Sequence, residues 1–108
     1  MGYSITTGLY LLFAILLEVA GITAMKLSDG FTHALPSVGI FVFYAMSFGF
    51  LALSLRRLEV SFAYAVWSGV GTLLIALIGF FVFHEPMSVI KALSLGLIII
   101  GVLGLKAA

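Results

Sequence analysis

Cysteine is absent from this 108-residue sequence. Disulfides, thiolate chemistry and cysteine metal sites are therefore excluded. Charge is scarce too: Asp, Glu, Lys and Arg make up 8% of the chain, against about 25% in soluble domains. Apolar residues fill the gap. They are 64% of the sequence, and mean hydropathy is +1.35. A water-soluble globule of this size would expose far too much apolar surface, so the composition is that of a membrane protein. Length excludes more. One transmembrane helix takes about 20 apolar residues, so the chain holds four spans and short loops. That leaves no room for a sizeable soluble domain, a soluble active site or a nucleotide-binding module. A formal net charge of +1 points to no nucleic-acid partner.

The rare charges divide the chain. They are Glu18, Lys26, Asp29, Arg56, Arg57, Glu59, Glu85, Lys91 and Lys106. The stretches between them predict spans over about 7–25, 35–55, 60–83 and 87–105, all within one transmembrane domain of residues 1–108. In hydrocarbon the backbone must satisfy its own hydrogen bonds, which predicts four α-helices. A barrel would need strict alternation, and Leu97-Ile98-Ile99-Ile100 does not alternate. Pro86 suits the first turn of the fourth helix, where a missing N–H costs nothing. The first stretch is expected to be a span and not a signal peptide. It lacks a basic leader, and Glu18 interrupts it.

Loop charges normally set orientation. Lys26 and Lys91 fall on one side of a four-span chain, and Arg56, Arg57 and Lys106 on the other. Three against two is too even to dictate a direction. Both a weak bias and insertion in both directions stay open.

Glu18 demands an explanation. It lies eleven residues into the first predicted span, near the bilayer midplane, where an acidic group costs roughly 2.5–3.5 kcal/mol. Lys26 is eight residues on, about 12 Å along a helix. So Glu18 must face a polar cavity or a second Glu18, or keep its proton. Burial disfavours the charged form, and a second carboxylate nearby would couple the two titrations. Such a group exchanges protons and, once ionised, attracts a cation. The plainer reading is a protonated Glu18 in one interhelical hydrogen bond. Helical spacing puts Leu11, Ala14, Ile15, Gly21 and Ile22 beside it. The small Ala14 and Gly21 leave either room for a ligand or a seat for another helix.

The third span carries the densest polar and aromatic group, Ala63-Tyr64-Ala65-Val66-Trp67-Ser68-Gly69-Val70-Gly71-Thr72. Tyr64, Trp67, Ser68 and Gly71 share a face. Aromatic faces bind organic cations, and Tyr64 has a hydroxyl to offer Glu18. Gly69 and Gly71 permit a kink or close packing. In the second span Tyr44, Ser47 and Phe48 share a face and could complete an aromatic pocket. In the fourth, Ser94, Gly96, Gly101 and Gly104 offer a small-residue face suited to helix association. His33 and His84 fall in loops and make a poor metal site. No metal or other cofactor is expected.

These residues resemble the small multidrug resistance family, four-helix exporters of the bacterial inner membrane. The likeness covers the whole chain. It includes Leu17-Glu18-Val19-Ala20-Gly21, Met25-Lys26-Leu27-Ser28-Asp29-Gly30-Phe31-Thr32, Leu35-Pro36-Ser37 and, most specifically, Ala63-Tyr64-Ala65-Val66-Trp67-Ser68-Gly69-Val70-Gly71. The resemblance implies that Glu18 binds protons and substrate in competition. It implies that Tyr64 and Trp67 line the site, that Ser68 neighbours the carboxylate, and that Gly69-Val70-Gly71 is a hinge. It further implies an antiparallel homodimer sharing one site, with Ser94 and Gly101 in the dimerising helix, where Ser94 replaces the usual glycine. Subtype rests on single positions. Guanidinium exporters of the family usually carry tryptophan where this chain has Gly21, although they share Glu85-Pro86 and Gly104-Leu105-Lys106-Ala107. Multidrug members carry a small residue there and the same Trp67-Ser68-Gly69-Val70-Gly71, but usually threonine in place of Ile22. Leu27-Ser28-Asp29-Gly30-Phe31 resembles a polyamine-exporting branch built from paired, non-identical subunits.

The expectation is proton-coupled export of quaternary ammonium and other lipophilic cations, by a non-enzymatic carrier working with protons, the bilayer and a second copy of itself. Guanidinium or polyamine export, a paralogous partner, and an accessory role in a heteromeric exporter are the alternatives.

Overall fold

The computed structural model describes residues 5–108, and four long helices account for most of them. They are α1 (Ile5–Leu27), α2 (Ala34–Ser54), α3 (Val60–Phe81) and α4 (Val89–Ala107). Each is long and apolar enough to cross a membrane. The predicted four-span all-α class is what the chain adopts, and the predicted bounds move by a few residues at the ends. At α4 the start moves for a reason that can be named. Pro86 does not open that helix but lies in the irregular stretch before it. Ser88 is the N-cap instead, accepting a hydrogen bond from the Lys91 N–H at 3.0 Å. A serine hydroxyl can take an orphan helix N–H, whereas proline only tolerates losing one.

The α1–α2 connection shows what short loops require. Asp29, Gly30 and Phe31 take left-handed φ of 48°, 68° and 68°. The buried Ser28 fixes this turn. Its hydroxyl donates to the Met25 carbonyl at 2.7 Å and accepts the Phe31 N–H at 3.2 Å.

The chain order is also the packing order in part: α1 packs most extensively on α2, then on α3, and α4 leans chiefly on α3. The resulting body is flat, with extents of 43 × 35 × 18 Å. Its buried core is small, centred on Leu11, Ile15, Val19, Leu58 and Ala63. Lipid solvates apolar side chains as readily as protein does, so a thin core is sufficient here, and small residues decide where helices touch. Ser47 illustrates this. It is 0% exposed and donates to the Ala14 carbonyl at 2.6 Å, tying α2 to α1. Gly69 seats α4: a Cβ there would meet Val102 Cγ2 at 2.9 Å and Ile98 Cγ2 at 3.1 Å.

Candidate functional site

Glu18 is half-buried on α1 and opens into a recess of about 400 Å³ between α1, α2 and α3. Its carboxylate reaches α3 because residue 71 is glycine. A Cβ on Gly71 would lie 2.9 Å from Glu18 Oε2. Among the described residues no hydrogen bond or ion pair engages this carboxylate. It is an acid within a membrane-length helix, facing the recess.

Aromatic rings form the rest of the wall. Tyr44 from α2, and Tyr64 and Trp67 from α3, line the recess. The rings run in a chain. Tyr44 and Phe48 centroids are 5.8 Å apart, Phe48 and Trp67 5.9 Å, and Trp67 and Tyr64 5.6 Å, all tilted. Tyr44 is placed by a glycine as well: its ring lies where a Cβ on Gly21 would be, with Cε2 at 2.9 Å. The Trp67 indole N–H is buried and has no acceptor among the described residues.

Ser68 lines the recess, but its hydroxyl donates to the Tyr64 carbonyl at 2.7 Å. Its proton is therefore committed to the helix, and toward the recess it presents only an acceptor. Thr72 repeats this one turn on, donating to the Ser68 carbonyl at 2.7 Å. Thr72 and Ile75 complete the lining together with Ile22. Neither Thr72 nor Ile75 was singled out from the sequence, although extending the Ser68 and Gly71 spacing by four residues reaches both.

Several predicted pocket residues sit elsewhere. Leu11 and Ile15 share the Glu18 stripe, but α3 closes over that part of α1. They pack in the core and border a separate apolar groove with Leu58, Phe62, Val66 and Val70. Ala14 and Ser47 are consumed by their mutual hydrogen bond between helices. Gly21 lies beneath the Tyr44 ring and does not itself line the recess. The residues of the expected hinge lie inside a continuous α3, which runs from Val60 to Phe81. Gly69 and Gly71 serve as close-approach points, one for α4 and one for Glu18. Phe48 is 52% exposed and joins the site through ring contacts at its edge. Ser94 and Gly101 lie on the exposed outer face of α4, and a Cβ on Gly101 would meet open space.

A family model described as Small Multidrug Resistance protein matches residues 6–98. This chain belongs to the small multidrug resistance family. Four membrane-length helices and that membership make it a multi-pass bacterial membrane protein. Its relatives within the family are close. An uncharacterized membrane protein of Bacillus subtilis (strain 168), YvaE, is 53% identical over 90% of this chain and 82% of its own length. The multidrug resistance protein EbrB of the same strain is 48% identical over 91% of this chain and 84% of its own length. The quaternary ammonium compound-resistance protein QacG of Staphylococcus sp. (strain ST94) is 38% identical, with 87% and 88% covered.

Proposed function

We propose that this protein is a proton-coupled antiporter that exports quaternary ammonium and other lipophilic organic cations. The observation that carries the reading is the Glu18 carboxylate, unpaired among the described residues and facing a roughly 400 Å³ aromatic recess inside the membrane-spanning region. The names of EbrB and QacG support a multidrug and quaternary ammonium substrate class.

One carboxylate can hold a proton or neutralise a cation, not both. A proton arriving from outside displaces the bound cation, and a cation arriving from inside displaces the proton. Coupling then needs no second site, only mutual exclusion at Glu18 and a change in which side the recess faces. Charge supplies affinity for any cation. The faces of Tyr44, Tyr64 and Trp67 supply cation–π attraction, which reaches about 2 kcal/mol where water is excluded. A recess with one charge and several rings, and few fixed hydrogen-bond donors, recognises charge and apolar bulk more than shape. Gly21 supports the multidrug subtype. The Tyr44 ring occupies the space a side chain at position 21 would fill, so the tryptophan of the guanidinium branch would displace a wall of this pocket.

The working unit in this reading is an antiparallel homodimer in which two copies pool their Glu18 residues. The flat 18 Å body and the exposed outer face of α4, with Ser94 and Gly101 on it, support a second copy packing there. Reconstituted Glu18→Gln tests the reading. It is expected to lose proton-driven uptake of tetraphenylphosphonium while still running as a dimer. Coupled uptake retained in that variant would overturn it.

A further inference from the structure

Glu85 lies in the break between α3 and α4, where it is half-buried. His84 takes a left-handed φ of 57°, uncommon for a residue with a side chain. This reverses the chain after α3. The Glu85 N–H then donates to the Gly79 carbonyl at 2.9 Å. The Glu85 carboxyl group rests on the buried face of Gly79, in space that a Cβ would claim. Among the described residues that carboxylate has no hydrogen bond or ion pair. It borders a second, smaller recess of about 120 Å³ with Thr23, Lys26 and Phe83.

Two features give this recess a meaning. The first is continuity. Ile22 and Ile75 line both it and the Glu18 recess, so the two recesses adjoin at these aliphatic side chains. The second is its chemistry. The Lys26 ammonium lies over the Phe83 ring, 5.9 Å from the centroid, within cation–π range. One recess is thus lined by a carboxylate, an aromatic face and an ammonium, the last lying over the ring. The Lys26 ammonium is the terminus of an exposed side chain at the end of α1, so it can withdraw to water.

We propose that Glu85 and Phe83 form an outer cation subsite at the mouth of the α1–α3 groove, through which organic cations pass to and from Glu18, with the Lys26 ammonium as its tethered competitor. This rests on Glu18 being the cation site. The outer subsite holds an ammonium or phosphonium head briefly, and movement of Ile22 and Ile75 admits it to the deeper recess. A group that stabilises only the passage speeds entry and exit equally and leaves equilibrium affinity unchanged. A group that merely supports the fold does not act that way.

The chain has one tryptophan, and Trp67 lines the inner recess, so its fluorescence reports arrival there. Stopped-flow quenching by tetraphenylphosphonium is measured on the intact protein in anionic-lipid nanodiscs. In Glu85→Gln, association and dissociation are expected to slow together by about tenfold, the lower end of electrostatic steering, with Kd unchanged. Lys26→Met should speed both. Gly79→Ala keeps every charge but pushes the carboxylate off its seat, and should mimic Glu85→Gln. Unchanged rates in Glu85→Gln, or a changed Kd with unchanged association, would overturn the subsite. Glu18→Gln separates the two readings. If it still quenches normally, the Glu18 site itself fails. If it abolishes quenching while Glu85→Gln matches wild type, the outer subsite alone fails.

Discussion

In the proposed mechanism Glu18 carries the exchange, and two glycines shape its surroundings: Gly71 admits its carboxylate and Gly21 the Tyr44 ring. Removing its charge should be costly. Losing one partner of a desolvated charge contact costs about 3 kcal/mol, roughly a hundredfold in affinity, so Glu18→Gln is expected to weaken tetraphenylphosphonium binding by at least that much in Trp67 quenching. Glu18→Asp keeps the exchange but changes its acidity. Aspartic acid is the stronger acid by about 0.4 unit in water, so protons compete less well at any given pH. The pH profile of transport should therefore move to lower pH, and an unmoved profile would argue against Glu18 as the titrating group. Gly71→Ala should reproduce part of the Glu18→Gln defect without touching charge, because the new methyl occupies the space of Glu18 Oε2. The sequence made Glu18 legible through the cost of an acid in oil. It did not reveal that Gly21 and Gly71 act by admitting Tyr44 and Glu18, because helical spacing gives the face of a residue and not the depth of its neighbour.

At the scale of elements, glycines in a helix are not equivalent. Gly69 carries α4, whereas a Cβ on Gly49 would meet nothing within 4 Å. Replacing an exposed helical glycine by alanine gains about 0.5–1 kcal/mol of backbone entropy, whereas overpacking a close contact costs about 1–3 kcal/mol. Gly49→Ala should therefore raise the midpoint of thermal unfolding in detergent, and Gly69→Ala should lower it. The four spans were readable because nine charged residues punctuate otherwise continuous apolar stretches. At the start of α4 Pro86 is the louder sequence signal, while the Ser88 cap makes its bond only once the turn exists. Periodicity puts Leu11 and Ile15 on the Glu18 stripe but cannot show where a neighbouring helix begins to cover it. Spacing puts Ser47 on a face with Tyr44 but cannot show its acceptor, the Ala14 carbonyl, which is 33 residues away in sequence.

The whole molecule is a thin slab whose aromatic recess opens on its surface, a form suited to pairing. Loop charge leaves its direction in the membrane nearly balanced, with Arg56, Arg57 and Lys106 opposing Lys26 and Lys91. The absence of cysteine makes this measurable. A single cysteine at exposed Asp29 should react with an impermeant maleimide from both sides of the membrane. Adding Lys91→Gln should bias the chain toward one orientation and reduce export, since an antiparallel pair needs both. Labelling from one side only, with full export, would contradict that arrangement.

Exchange at Glu18 is tested most directly by counting protons. Purified protein in weakly buffered detergent is mixed with tetraphenylphosphonium while a pH dye follows release. The expected result is proton release on binding that fades as the starting pH rises and vanishes in Glu18→Gln. Binding with no proton release at any pH, or equal release from Glu18→Gln, would contradict it.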